Sequence, residues 1–276
     1  MKRWSRLWAA IIGTVLLAAT PALAQDETTE VAYGPIGFEV PEALGASVNV
    51  TSVPRTDLDP PFLVATIYGE RAISSRIPRV GDGPTVVTAF RVADAEDVVD
   101  VSAQVDALRT ILDERPELAP GTADDGLPFL PVTPGNQLLQ SRPVYVDTPT
   151  VSGVAYLTAF EQAGEGGPLD RFPLTSTSVL ATFQGLSADG TWYVSVVQEL
   201  ETSLFPAEPS GRDVRRAAQD WDAYLAESLT SIDAASPGDF VPSLDAFDAL
   251  VGSLDLSTTS PVEPSPSSEA RPAPGG

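Results

Sequence analysis

The chain has 276 residues, with 38 Asp and Glu against 16 Lys and Arg, a formal net charge of -22, no histidine and no cysteine. Its one lysine is Lys2. These absences exclude a Ser-His-Asp triad, an imidazole base, a His or Cys zinc site, a thiol nucleophile and a disulfide, and beyond Lys2 a Schiff-base lysine or P-loop, so only carboxylate, hydroxyl, tyrosine and arginine chemistry remains.

The first segment, MKRWSRLWAAIIGTVLLAATPALA, places Lys2, Arg3 and Arg6 before an apolar run and ends in Ala22-Leu23-Ala24. That is the layout of a secretory signal peptide over residues 1–24, with cleavage predicted after Ala24. The alternative is an uncleaved membrane anchor, but Thr20-Pro21 interrupts the apolar run, which falls short of the ~18 to 20 residues that span a bilayer. Lipid attachment would need a cysteine at the cleavage point. The expected product is therefore released, secreted or periplasmic, with no membrane insertion after cleavage. Removing the segment takes away three basic residues and no acidic one, which moves the formal charge from -22 to -25. Such a field repels nucleic acid and anionic lipid, both of which need Lys and Arg to neutralise phosphate, so nucleic acid is not an expected partner.

Residues 25–30, QDETTE, read as a short acidic leader. YGPIGFEVP (33–41) is predicted as an opening strand closed by Pro41, FLVATIYGE (62–70) as a second and TVVTAFRVA (85–93) as a third. In the third, Val86, Thr88, Phe90 and Val92 alternate with Val87, Ala89 and Arg91. A helix follows over 94–114, capped by Asp94, with Val98, Val101, Val105, Leu108 and Leu112 at spacings of three and four and Pro116 beyond its end. Residues 116–136 hold five prolines and three glycines, a long loop whose Phe129 and Leu130 should pack back onto the body.

QLLQSRPVYVD and SGVAYLTAFEQ are the next two strands, joined through Thr148-Pro149-Thr150. STSVLATFQGL and TWYVSVVQEL flank Asp189-Gly190, the strongest hairpin signal in the chain. Trp192 shares a face with Val194 and Val196, so sheet packing is favoured over a role as a carbohydrate-stacking platform. A second amphipathic helix is predicted over 211–232, with Val214, Ala217, Ala218, Trp221, Leu225, Ser228, Leu229 and Ile232 in one stripe. SLDAFDALVGSL gives a short third helix, and residues 257–276, rich in Pro, Ser and Gly, read as a disordered tail.

Strands apolar on both faces need cover on both sides. The expectation is one α+β domain over residues 31–254, an antiparallel sheet meander covered by two amphipathic helices as a sandwich. The GFEVP strand, the helix inserted after the first strands, the central meander and the closing Trp/Tyr/Leu helix resemble, over about residues 33–232, the sandwich of the extrinsic P-type protein of photosystem II and the Mog-type Ran-binding proteins. Many exported bacterial proteins are similar. The resemblance lies in the order of elements; where that family often has Trp after the first-strand Pro, Pro41 here is followed by Glu42-Ala43-Leu44. It implies a binding or assembly module and carries over no functional residue.

Candidate sites are sparse. Asp57-Leu58-Asp59 and Asp124-Asp125-Gly126 cluster carboxylates on loops without the D-x-[DN]-x-[DN]-G spacing that surrounds Ca²⁺ with oxygens, and solvated loop charge is the favoured reading. Asn49-Val50-Thr51 is a glycosylation sequon, more readily a chance match behind a bacterial-looking signal peptide. No catalytic residue, metal ligand or cofactor is expected. The expected function is that of an exported, acidic, non-catalytic binding or assembly module for an envelope or extracellular component. The alternative is a carboxylate-dependent extracellular hydrolase on polysaccharide, which would need a cleft with two carboxyl groups ~5 to 9.5 Å apart.

Overall fold

Gly34 takes φ 60° directly before Pro35 and turns the opening segment back on itself. The result is a hairpin of β1 (Thr28–Tyr33) and β2 (Ile36–Pro41) in place of the single strand expected over 33–41. The computed structural model describes residues 28–45, 47–69, 85–122, 126–132, 135–161 and 172–257. The expected signal peptide (1–24), residues 25–27 of the leader and positions 258–276 of the tail lie outside the described residues; leader residues 28–30 begin β1.

Eight further strands form one antiparallel sheet: β3 (Ser47–Val53), β4 (Phe62–Tyr68), β5 (Thr85–Arg91), β6 (Gly121–Thr122), β7 (Gln137–Asp147), β8 (Val151–Phe160), β9 (Leu180–Ser187) and β10 (Trp192–Glu199). Their order is β3-β4-β5-β10-β9-β8-β7-β6. β3 and β6 lack a sequence signal: Val48 and Val50 alternate with Ser47, Asn49 and Thr51, too little apolar surface for a clear period, and β6 is two residues long. Two short ribbons complete the set, β11 (Glu201–Thr202) paired with β12 (Phe240–Val241), and β13 (Asp255–Leu256) added to β2. The described residues thus carry more strand than expected.

The pleat sends alternate residues of the large sheet into two separate cores. On one face Val87, Ala89, Ala155, Leu157, Ala181, Phe183, Val194 and Val196 are buried together. Gly153 and Gly185 lie directly opposite each other there, and the ring of Phe183 fills the space above both: an added Cβ would sit 2.5 Å from that ring at Gly153 and 2.6 Å at Gly185. On the other face Phe90, Val154, Tyr156, Leu186 and Tyr193 form the second core, with Phe90 and Tyr193 stacked at 5.1 Å between centroids.

Helix α1 (Val99–Glu114) covers this second face through Val101, Val105 and Leu108. Its start corrects the expected cap: Asp94 lies in a 3-10 turn over Val92–Ala95, and the capping position is Val98. At the other end Arg115 adopts the left-handed conformation (φ 47°), donates its N–H to the carbonyl of Ile111, and reaches Asp147 through its two terminal guanidinium nitrogens at 2.7 and 3.1 Å. That bidentate pair fastens the helix end to the end of β7 and holds the Asp147 carboxyl below its ordinary value.

The first face is covered by more than one helix. The single helix expected over 211–232 is two, α2 (Gly211–Gln219) and α3 (Trp221–Ala234). The break is Asp220, which is extended (φ -151°, ψ 90°) and accepts from the N–H of Ala223 as the cap of α3. Ala217, Trp221, Leu225, Ser228 and Ile232 are buried along the expected stripe nonetheless. Helix α4 (Leu244–Gly252) buries Leu244, Phe247, Leu250 and Val251, and β2 adds Ile36, Phe38 and Val40 to the same core. The chain is an α+β fold built on antiparallel sheets, and its cover is not limited to two helices. No helix among the described residues is long and apolar enough to cross a membrane.

Candidate functional site

Asp189 is consumed by its own turn. Its Oδ1 accepts from Ser187 Oγ (2.6 Å), Thr191 Oγ1 (2.7 Å) and the Thr191 N–H (3.0 Å), while Gly190 supplies φ 70°. The adjacent Trp192 is half-buried against the first core and Tyr193 is fully buried in the second. The stretch is therefore a hairpin with both aromatic rings committed to packing. The Ser187 hydroxyl, and then Thr191, hold the Asp189 carboxyl below its ordinary value. A depressed folded-state value means that the stabilisation is present above the unfolded value of about 3.9 and is lost as pH falls through the folded one. Asp189→Ala is expected to lower stability by at most about 1 kcal/mol near pH 7, since the group is exposed. Urea unfolding of both proteins at pH 7 and pH 2.5 should show that difference shrink in acid.

The Asp57-Leu58-Asp59 cluster likewise belongs to a turn. At Asp57-Leu58-Asp59 the Thr56 Oγ1 accepts from the N–H groups of Leu58 (3.2 Å) and Asp59 (3.0 Å), an ordinary hydroxyl-capped turn. Asp124 and Asp125 lie outside the described residues. Among the described residues no group of three His, Cys, Asp or Glu could hold a metal ion. Asn49 is exposed on β3, where its Oδ1 accepts from Thr51 Oγ1 at 3.4 Å.

A cleft of about 850 Å³ opens where the two cores approach each other near the β6–β7 side of the sheet. Leu127 and Phe129 come to it from the second core, and Leu138, Trp221 and Leu225 from the first. One wall is the loop 126–132, held to the sheet by a buried polar network. Gln184 Oε1 accepts from the Leu130 N–H (3.1 Å) and from Tyr193 Oη (2.6 Å), while Gln184 Nε2 donates to the Leu130 carbonyl (3.2 Å) and to Thr182 Oγ1 (2.7 Å). Tyr156 Oη donates to the Pro128 carbonyl at 2.7 Å. Burial pushes both tyrosine hydroxyls well above their ordinary value, so they stay neutral and donate. The expectation that Phe129 and Leu130 pack back onto the body is met: they are 7% and 3% exposed.

Amides and carboxylates line the rest. Gln104 on α1 accepts from the Phe129 N–H at 3.0 Å; Gln137 Nε2 donates to Thr158 Oγ1 at 2.9 Å; Asn136 Nδ2 donates to Glu161 Oε2 at 2.9 Å. Phe160 packs on Phe129 with centroids 4.6 Å apart and planes tilted by 58°, and Trp221 stacks on Tyr224 at 5.5 Å. Asp222, in the first turn of α3, is exposed, and Glu161 is half-buried. Neither has an ion-pair partner among the described residues, and no arginine stands among the described lining.

Of these residues the sequence pattern singles out Phe129, Trp221 and Leu225 as core and Asp222 as a solvent-facing helix position. Gln104, Asn136, Gln137 and Glu161 carry no local signal, because they come from a helix, a loop, a strand start and a strand end that only the sheet brings together. What the arrangement offers chemically is hydrogen bonding beside apolar walls, with two water-accessible carboxylates. No family model matches the chain, and no curated protein matches it.

Proposed function

We propose that the protein is an exported, acidic, non-catalytic binding or assembly module that holds an envelope or extracellular component in this cleft. The observation that carries the reading is the cleft itself, whose volume falls within the ~300 to 1,000 Å³ of typical ligand sites and whose described polar lining includes three amides, Gln104, Asn136 and Gln137. Amides orient a ligand but neither take nor give protons in general acid–base work. Helical cover on both faces of the large sheet is compatible with the resemblance to the extrinsic P-type and Mog-type proteins, whose members mostly act as such modules. Export follows from the charged, apolar and A-x-A sequence of residues 1–24.

The second reading, a polysaccharide hydrolase, rests on Glu161 and Asp222 entering one cleft from different elements. Two measurements separate the outcomes. Intact-mass analysis of the exported protein is expected to give an N-terminus at Gln25; a retained Met1 would sink the export reading. Incubation with polysaccharide is expected to release no new reducing ends. Release that disappears in Glu161→Gln would replace the module by the hydrolase.

A further inference from the structure

We infer that the ligand of the cleft is an uncharged, hydroxyl-rich chain, a neutral glycan segment; this rests on the binding-module reading and names its ligand class. The charge distribution removes anions first. The only charged side chains among the described lining are Glu161 and Asp222, on a chain of net charge -22. A uronate, phosphate or sulfate group would enter against both with no guanidinium among the described lining to receive it. A wholly apolar ligand fails for a different reason. It would strip water from Gln104, Asn136, Gln137 and Glu161 and leave their remaining polar atoms unpaired.

The internal hydrogen bonds decide which atoms are offered. Gln104 uses its Oε1 on the Phe129 N–H, so its Nε2 is the group that can turn to a ligand, a donor. Gln137 gives one N–H of its Nε2 to Thr158, which leaves its second N–H and the acceptor Oε1. Asn136 gives one N–H of its Nδ2 to Glu161, which leaves its second N–H as a donor and Asn136 Oδ1 and the second Glu161 oxygen as acceptors. A ligand must therefore both donate and accept at several points. Ammonium groups only donate and cannot satisfy Gln104. Sugar hydroxyls do both, and the apolar C–H faces of the rings match Phe160, Leu127 and the exposed Val132 on the same lining.

The test uses the mature protein with residues 25–276. Binding of neutral gluco-, manno-, galacto- and xylo-oligosaccharides is measured by titration calorimetry and by chemical-shift perturbation, beside a uronate oligosaccharide and spermine. At least one neutral oligosaccharide is expected to bind, with an affinity that changes little between 50 and 500 mM salt, while the uronate does not. Asn136 is exposed, so Asn136→Ala removes an acceptor without touching the core, and Gln137→Ala removes a second. Each is expected to weaken binding about three- to tenfold, the worth of one net hydrogen bond, with the melting midpoint unchanged for Asn136→Ala. Preferential binding of spermine or of the uronate at these residues would overturn the glycan inference and leave the module standing. No binding to any of the probes would overturn both. Binding accompanied by cleavage would keep the glycan and overturn the non-catalytic reading.

Discussion

Trp221→Ala is expected to lower the stability of the protein by ~3 to 5 kcal/mol, the range for removing a large aromatic side chain from a core. Trp221 is the first residue of α3, only 7% exposed, and belongs to the core that also holds Ala217, Leu225 and Ile232. Its ring stacks on Tyr224, whose hydroxyl accepts from the Leu174 N–H at 2.8 Å and so ties this turn of α3 to the segment before β9. Asp222→Ala, one residue further on and exposed, is expected to cost less than about 0.5 kcal/mol. Urea unfolding of the two variants makes the comparison. A neutral Trp221→Ala would mean that α3 docks without its largest side chain, and loss of ligand binding in that stable variant would make this end of α3 a docking surface.

The positions that pattern reveals are those where one periodicity runs long enough to be read. The strands 85–91, 151–160, 180–187 and 192–199 and the stripe Ala217-Trp221-Leu225-Ile232 are of this kind, because burial of a whole face selects apolar residues at a fixed spacing. What escapes is decided by single groups. Gly34-Pro35 turns one expected strand into two. Asp220 accepts from Ala223 and splits one expected helix into two without disturbing its stripe, because the apolar spacing survives the break. The start of α1 shifts from 94 to 99 because Val92–Ala95 forms a tighter turn. The cleft is least legible of all. Gln104, Asn136, Gln137 and Glu161 are brought together by the pairing of β7 with β8 and by α1 lying over the second core, contacts between segments far apart in sequence. The absent residue types, by contrast, are informative before any folding, since no packing can supply an imidazole or a thiol.

Gln184→Leu is the substitution in the second core with the largest expected effect, about 3 kcal/mol or more, although leucine suits the apolar surroundings. Gln184 is fully buried, and its removal orphans the Leu130 N–H, the Leu130 carbonyl and the Tyr193 hydroxyl at once. Each unpaired buried group carries a desolvation penalty of about 1 to 3 kcal/mol, and the three share one partner, so the penalties do not simply add. Tyr193→Phe alone should cost only about 1 kcal/mol, because Gln184 Oε1 still accepts from Leu130. Combined with Gln184→Leu it should restore part of the loss, since it deletes one of the orphans. Urea unfolding of the two singles and the double gives that coupling directly, and hydrogen exchange at the Leu130 amide should quicken in Gln184→Leu ahead of global unfolding. The consequence extends to the cleft, whose wall at Leu127 and Phe129 is part of the same loop. If Gln184→Leu proves neutral and the Leu130 amide stays protected, the loop is held by the burial of Leu127, Phe129 and Leu130 alone, and the network only selects its position.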